Sequence, residues 1–154
     1  MKARNAVLTL AVLLVGITVC FASNPNLGTW KLNEAKSKLA PGYPKNTKVV
    51  YEAAGDKIKA TVEGVDGQGK PIHSEWTGKF DGKDYPVTGD PSSDTRSIKQ
   101  IDDRTLELTV KKGGKVTMSG RVVLSPDGKS RTLTLSGTDP AGKKVTSISV
   151  YDKQ

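Results

Sequence analysis

The chain has 154 residues, a formal net charge of +8, 35% apolar residues and only 5% aromatics. That length supports one modest core and excludes a two-domain enzyme or a polytopic membrane protein. Residues 1–22 hold 16 of the apolar residues, so the remaining 132, with a net charge of +6, are poorer still in core-forming side chains.

In chain order, Lys2 and Arg4 precede an apolar run from Ala6 to Val19, and Cys20-Phe21-Ala22 places small residues at −3 and −1 of a cut after Ala22. Residues 1–22 read as a secretory signal peptide, followed by a single domain over 23–154 that is exported to a periplasmic or extracellular location. A membrane anchor is the rival reading, but about 14 apolar residues are too few to span a bilayer easily. A lipoprotein signal acylated at Cys20 would want a small residue where Val19 stands. Cleavage after Ala22 leaves a chain without cysteine, hence without a disulfide framework, and without an integral membrane span.

After the signal, Glu34 to Leu39 can form a short helical turn that Pro41 and Pro44 stop. Everything else alternates with period two, the pattern of half-buried strands. Ile58, Ala60 and Val62 oppose Lys59, Thr61 and Glu63, while Ile72, Ser74, Trp76, Gly78 and Phe80 oppose His73, Glu75, Thr77 and Lys79. Leu106, Leu108 and Val110 share a face, as do Val116, Met118, Val122 and Leu124, and then Leu133 and Leu135. The last strand, Lys144 to Asp152, alternates less cleanly. Between these runs stand turn signals: Asp66-Gly67-Gln68-Gly69-Lys70, Asp81-Gly82-Lys83, Gly113-Gly114-Lys115, Pro126-Asp127-Gly128-Lys129 and Pro140-Ala141-Gly142-Lys143. Asp84 to Asp94, rich in Pro, Gly, Ser and Asp, reads as one longer loop. The expected fold is all-β: an antiparallel up-and-down β-barrel of about eight to ten strands, since so long a meander must hide its edges.

Residues for acid–base or metal chemistry are sparse. The one histidine, His73, lies on the polar face of its strand, and the mature chain offers no Cys or His cluster for zinc. Gly128-Lys129-Ser130 resembles the end of a phosphate-binding loop, but Val123 stands where the upstream glycine belongs, and a hairpin surrounds it. Asp102-Asp103 reads as a turn cap. The lysines mostly follow turn glycines or point outward, which makes a solvated surface rather than a nucleic-acid face. More informative are polar residues on faces that turn inward: Arg96 and Gln100 flank Ile98, Arg131 shares a face with Leu133 and Leu135, and Ser74 lies between Ile72 and Trp76. An unpaired arginine in a solid core costs kilocalories. A barrel with a partly polar interior accepts it and can offer it to a carboxylate; a barrel mouth, with the side chains reaching water, is the other reading.

Two short stretches carry a resemblance. Gly28-Thr29-Trp30-Lys31-Leu32 resembles the Gly-x-Trp signature of the calycin superfamily, the lipocalin and fatty-acid-binding protein group, and Val150-Tyr151-Asp152-Lys153 resembles the ending of its fatty-acid-binding branch. The resemblance implies a lipocalin-like barrel with Trp30 at its closed end and an interior pocket for a small apolar ligand, in a secreted bacterial lipocalin-like protein. The branch holds its carboxylate with Arg-x-Tyr on the last strand, where this chain has Ser149-Val150-Tyr151. Tyr151 carries over and the arginine does not. The helical lid after the first strand has no counterpart in the short, proline-broken stretch from Asn33 to Lys45.

The expectation is therefore a non-enzymatic, monomeric, exported barrel without cofactor, metal or nucleic-acid partner. It would bind a small hydrophobic or amphipathic ligand, with Trp76, Phe80, Met118 and Tyr151 as apolar walls and Arg96 or Arg131 meeting an anionic group. The alternative is a structural or interaction domain of the cell envelope with a filled barrel and a basic outer surface.

Overall fold

A computed structural model describes residues 24–138 and 142–154. The signal peptide expected at 1–22 and residues 140 and 141 of the last expected turn lie outside the described residues. Ten strands follow one another: β1 (Gly28–Leu32), β2 (Lys45–Ala54), β3 (Lys57–Val65), β4 (Pro71–Gly78), β5 (Asp81–Thr88), β6 (Thr95–Gln100), β7 (Thr105–Lys112), β8 (Lys115–Leu124), β9 (Ser130–Thr138) and β10 (Lys144–Lys153). Each pairs antiparallel with its sequence neighbours, and β10 returns to β1. Closure gives every strand a paired neighbour on both sides, which limits the open-edge hazard of so long a meander. No described helix is long and apolar enough to cross a membrane.

The period-two pattern sets which side chains enter the barrel. Ala60 and Val62 on β3, Leu106 and Val110 on β7, and Val122 and Leu124 on β8 are buried, and their neighbours point to solvent. Trp30 is fully buried at one end, where its indole Nε1 donates to the Asn26 carbonyl at 2.9 Å. The up-and-down order gathers the 101–104 and 125–129 turns at this Trp30 end. The opposite end carries the 33–44 segment, the 89–94 loop and the Gly113-Gly114 reversal, where both glycines have positive φ, +55° and +75°. A two-residue hairpin of this kind needs that backbone and disfavours any residue with a Cβ.

Several expectations shift. The loop expected over Asp84 to Asp94 contracts to 89–94, because Asp84 to Thr88 belong to β5. Pro86 is tolerated there because β4 and β5 are joined only through Glu75–Thr88 and Trp76–Val87, so that side of β5 behaves as an edge. Asp81-Gly82-Lys83 lies inside β5 at a register shift, and the reversal falls at Lys79 and Phe80. Val116 does not share the buried face of Met118: it is 59% exposed, because a bulge at Thr117 flips the start of β8. Gln100, at the end of β6, is exposed. The untidy last strand reverses the usual polarity. Ser147, Ser149 and Tyr151 are its buried residues, whereas Ile148 and Val150 lie on the other face beside the 33–40 segment. There Lys38 bridges Ile148 and the Ser37 hydroxyl accepts from the Val150 N–H at 2.9 Å.

Candidate functional site: a cationic barrel interior

Strand alternation brings an arginine into the deep end of the barrel. Arg131 on β9 is the register partner of Tyr151 on β10, and both side chains turn inward. Tyr51 alternates with Val49 on β2 and arrives from the other side of β1, where it pairs with Gly28. The Arg131 guanidinium carbon lies 4.6 Å from the Trp30 ring centroid, 5.0 Å from Tyr51 and 5.2 Å from Tyr151. Three ring faces around one cation make a cage, each contact worth roughly 0.5–2 kcal/mol according to desolvation.

This cation is unusually placed. Arg131 is 4% exposed, yet its Nε and Nη1 have no hydrogen-bond partner among the described residues. Nor does any carboxylate pair with it among the described residues, where the seven ion pairs all lie elsewhere. Burial pushes the Arg131 guanidinium below its ordinary pKa, against the opposing pull of the Tyr51 and Tyr151 hydroxyls. Burial likewise pushes the Tyr151 phenol up to about 12, Arg131 acting in the opposite sense. The Tyr151 phenol therefore stays neutral at ordinary pH, and no carboxylate among the described residues compensates the Arg131 charge.

Above Arg131 the barrel encloses a cavity of about 60 Å³. An apolar belt of Val49, Val62, Leu108, Val122 and Leu133 forms its wall, and Asn46, Ser74, Asp90 and Arg96 lie toward the other end. At that mouth the Asp90 carboxylate accepts from the Ser92 N–H at 2.8 Å and from the Ser92 and Ser93 hydroxyls at 2.6 and 2.7 Å. Arg96 Nη2 lies 3.7 Å from the same carboxylate. Burial pushes the Asp90 carboxyl up, but the Ser92 and Ser93 hydrogen bonds and the nearby Arg96 charge outweigh it and hold the carboxyl below its ordinary value. The second interior arginine is thus already matched by an anion, and the first is not. Gly89 fixes this loop against β4: its φ is +76° and a Cβ would meet the His73 carbonyl at 2.0 Å.

Of the residues expected at the site, Arg96, Met118, Arg131 and Tyr151 line the cavity. Trp76 and Phe80 do not. Trp76 is buried, but it stacks on Phe80 at 6.4 Å and meets Tyr85 edge-on at 5.9 Å, with its Nε1 donating to the Arg96 carbonyl at 2.9 Å. This cluster fills the thinly paired β4–β5 seam, so the rings serve the wall rather than the pocket. Tyr51 and Asp90 belong to the interior site and were not expected there, while Trp30, expected at the closed end, stacks on Arg131. Alternation with Val49 marks Tyr51 as inward, whereas nothing in the loop around Asp90 marks its carboxylate as folded back.

The residues set aside for other chemistry stay apart from the cavity. His73 is exposed, and Asp102 accepts from the Arg104 N–H at 2.8 Å as a turn cap. Gly128-Lys129-Ser130 runs from a hairpin turn into β9, and no group of three potential metal ligands occurs among the described residues. The chain matches no protein-family model and no curated protein sequence. The closed ten-strand barrel, with the tryptophan of Gly28-Thr29-Trp30 buried at its end, is consistent with a calycin-like fold.

Proposed function

We propose that the protein is an exported, non-enzymatic binding protein that holds a small amphipathic ligand in its barrel, with the ligand's anionic group against Arg131. The observation that carries this reading is a buried guanidinium with two unmatched donors, on a side chain that lines a cavity with an apolar belt. Desolvating a cation costs several kcal/mol, and a ligand anion would offset that cost. Arg96 serves as a mouth residue rather than the anion anchor, because Asp90 already engages it.

Trp30 stacks on Arg131, so its fluorescence reports on the site. Titration with paired acid and alcohol analogues should shift Trp30 emission for the acid at far lower concentration. Equal response to both removes Arg131 from the site.

The second reading, a cell-envelope structural or interaction domain, is favoured by one observation. The cavity is about 60 Å³, well under the roughly 300 Å³ of a drug-sized pocket. Under that reading no small acid alters Trp30 emission, and Arg131 serves to brace the end of the barrel.

A further inference from the structure

We infer that the ligand is a short monocarboxylate, of about two to four carbons, and not a long-chain lipid. The inference rests on the binding reading above and concerns the ligand's size and charge. At roughly 10–15 Å³ per water-sized atom, a 60 Å³ cavity admits about four to six such atoms. A long acyl chain needs several times that space. Reaching solvent through the mouth would bring its tail past the Asp90–Arg96 pair and the hydrogen-bonded Ser92 and Ser93.

Charge narrows the class further. Arg131 is the interior cation whose charge no carboxylate matches among the described residues, and Arg96 faces Asp90. One negative charge therefore balances the cavity. A second carboxylate on the ligand would face the belt of Val62, Leu108 and Val122 or the Asp90 carboxylate, and either placement is costly. The tail is apolar because that belt stands between the two arginines. A carboxylate matches Arg131 because a guanidinium edge and a planar two-oxygen anion suit each other in geometry and charge. Leu133 sets the length, as it shares the inward face of β9 with Arg131 and lines the cavity next to it.

The test is calorimetric titration of the folded protein with straight-chain alkanoates from formate to dodecanoate, with the matching alcohols and with succinate. The inference predicts an optimum between acetate and butanoate, at least tenfold weaker binding of the alcohols, and at least tenfold weaker binding of succinate than of butanoate. Leu133→Ala, with its fold checked by circular dichroism, should move the optimum two to three carbons longer. If that variant fails to fold, the wild-type series alone decides. Affinity that rises steadily to dodecanoate overturns the size inference and leaves the binding reading standing. Succinate binding as tightly as butanoate overturns the single-charge inference. No heat from any acid, with Trp30 emission also unmoved, overturns the binding reading itself.

Discussion

Replacing Arg131 by methionine separates a ligand site from a structural brace. Methionine keeps most of the side-chain volume and loses the charge. The guanidinium gains three cation–π contacts, together about 2–4 kcal/mol at their distances. Against this stand a desolvation penalty of several kcal/mol and two buried donors left unmade, at roughly 1–3 kcal/mol each. The balance is unfavourable, so Arg131→Met should stabilise the barrel by about 1–3 kcal/mol, raising Tm by roughly 3–5 °C per kcal/mol at this domain size. Arg131→Ala should instead destabilise by about 2–4 kcal/mol, because it removes the stem and leaves a hole beside Trp30. Urea unfolding of the three proteins at neutral pH, with unchanged m-values, provides the comparison. Loss of more than about 2 kcal/mol in Arg131→Met would refute the reasoning, because the cation would then earn its place by holding the fold.

Trp30→Phe should abolish the ligand-induced fluorescence change, and Trp76→Phe should preserve it, since of the two tryptophans Trp30 stacks on Arg131 and Trp76 on Phe80; emission titrations of the two variants check this. Asp90→Asn should cost about 1–3 kcal/mol at pH 7 through the lost charged hydrogen bonds. The Asp90 carboxyl is held below its ordinary 3.8, so its contribution is full above that value and fades as pH falls through the lower folded value. Unfolding curves of wild type and variant should therefore converge at the acid end. Tyr151 works in the opposite sense. Its folded pKa of about 12 exceeds the ordinary 10.0, so stability should fall by about 2–3 kcal/mol between pH 10 and 12, and Tyr151→Phe should remove that loss. Gly89→Ala should destabilise by more than about 2 kcal/mol, given its positive φ and the backbone carbonyl in the way, as thermal unfolding will show.

The barrel was largely legible because its information is local. Ile58, Ala60 and Val62 alternate, glycines mark the reversals, and a meander of that kind must close. The errors lie where a local rule meets a nonlocal one. Val116 obeys the alternation, but the bulge at Thr117 turns it outward, and a bulge depends on the pairing with β7. Pro86 looked like a loop residue because its tolerance depends on how little of β4 faces β5.

The site was legible in part for the same reason. Arg131 stood out as a charge on an inward face, and alternation placed it correctly. Trp76 also faces inward, yet whether an inward ring meets a pocket or another ring depends on Phe80 and Tyr85 folding over it. The Asp90–Arg96 pair depends on a loop conformation fixed by Gly89 against the His73 carbonyl, and no pattern in the sequence encodes that contact.

The central claim is that the buried Arg131 guanidinium meets a ligand anion. Nitrogen-15 NMR of the arginine Nε–H resonances, assigned through Arg131→Met, observes that atom directly. Addition of butanoate should shift the Arg131 Nε–H signal and slow its exchange with solvent, with little change at Arg104 or Arg121, while butanol should do neither. A Arg131 signal that stays fixed under saturating butanoate and every other alkanoate of the series would contradict the account.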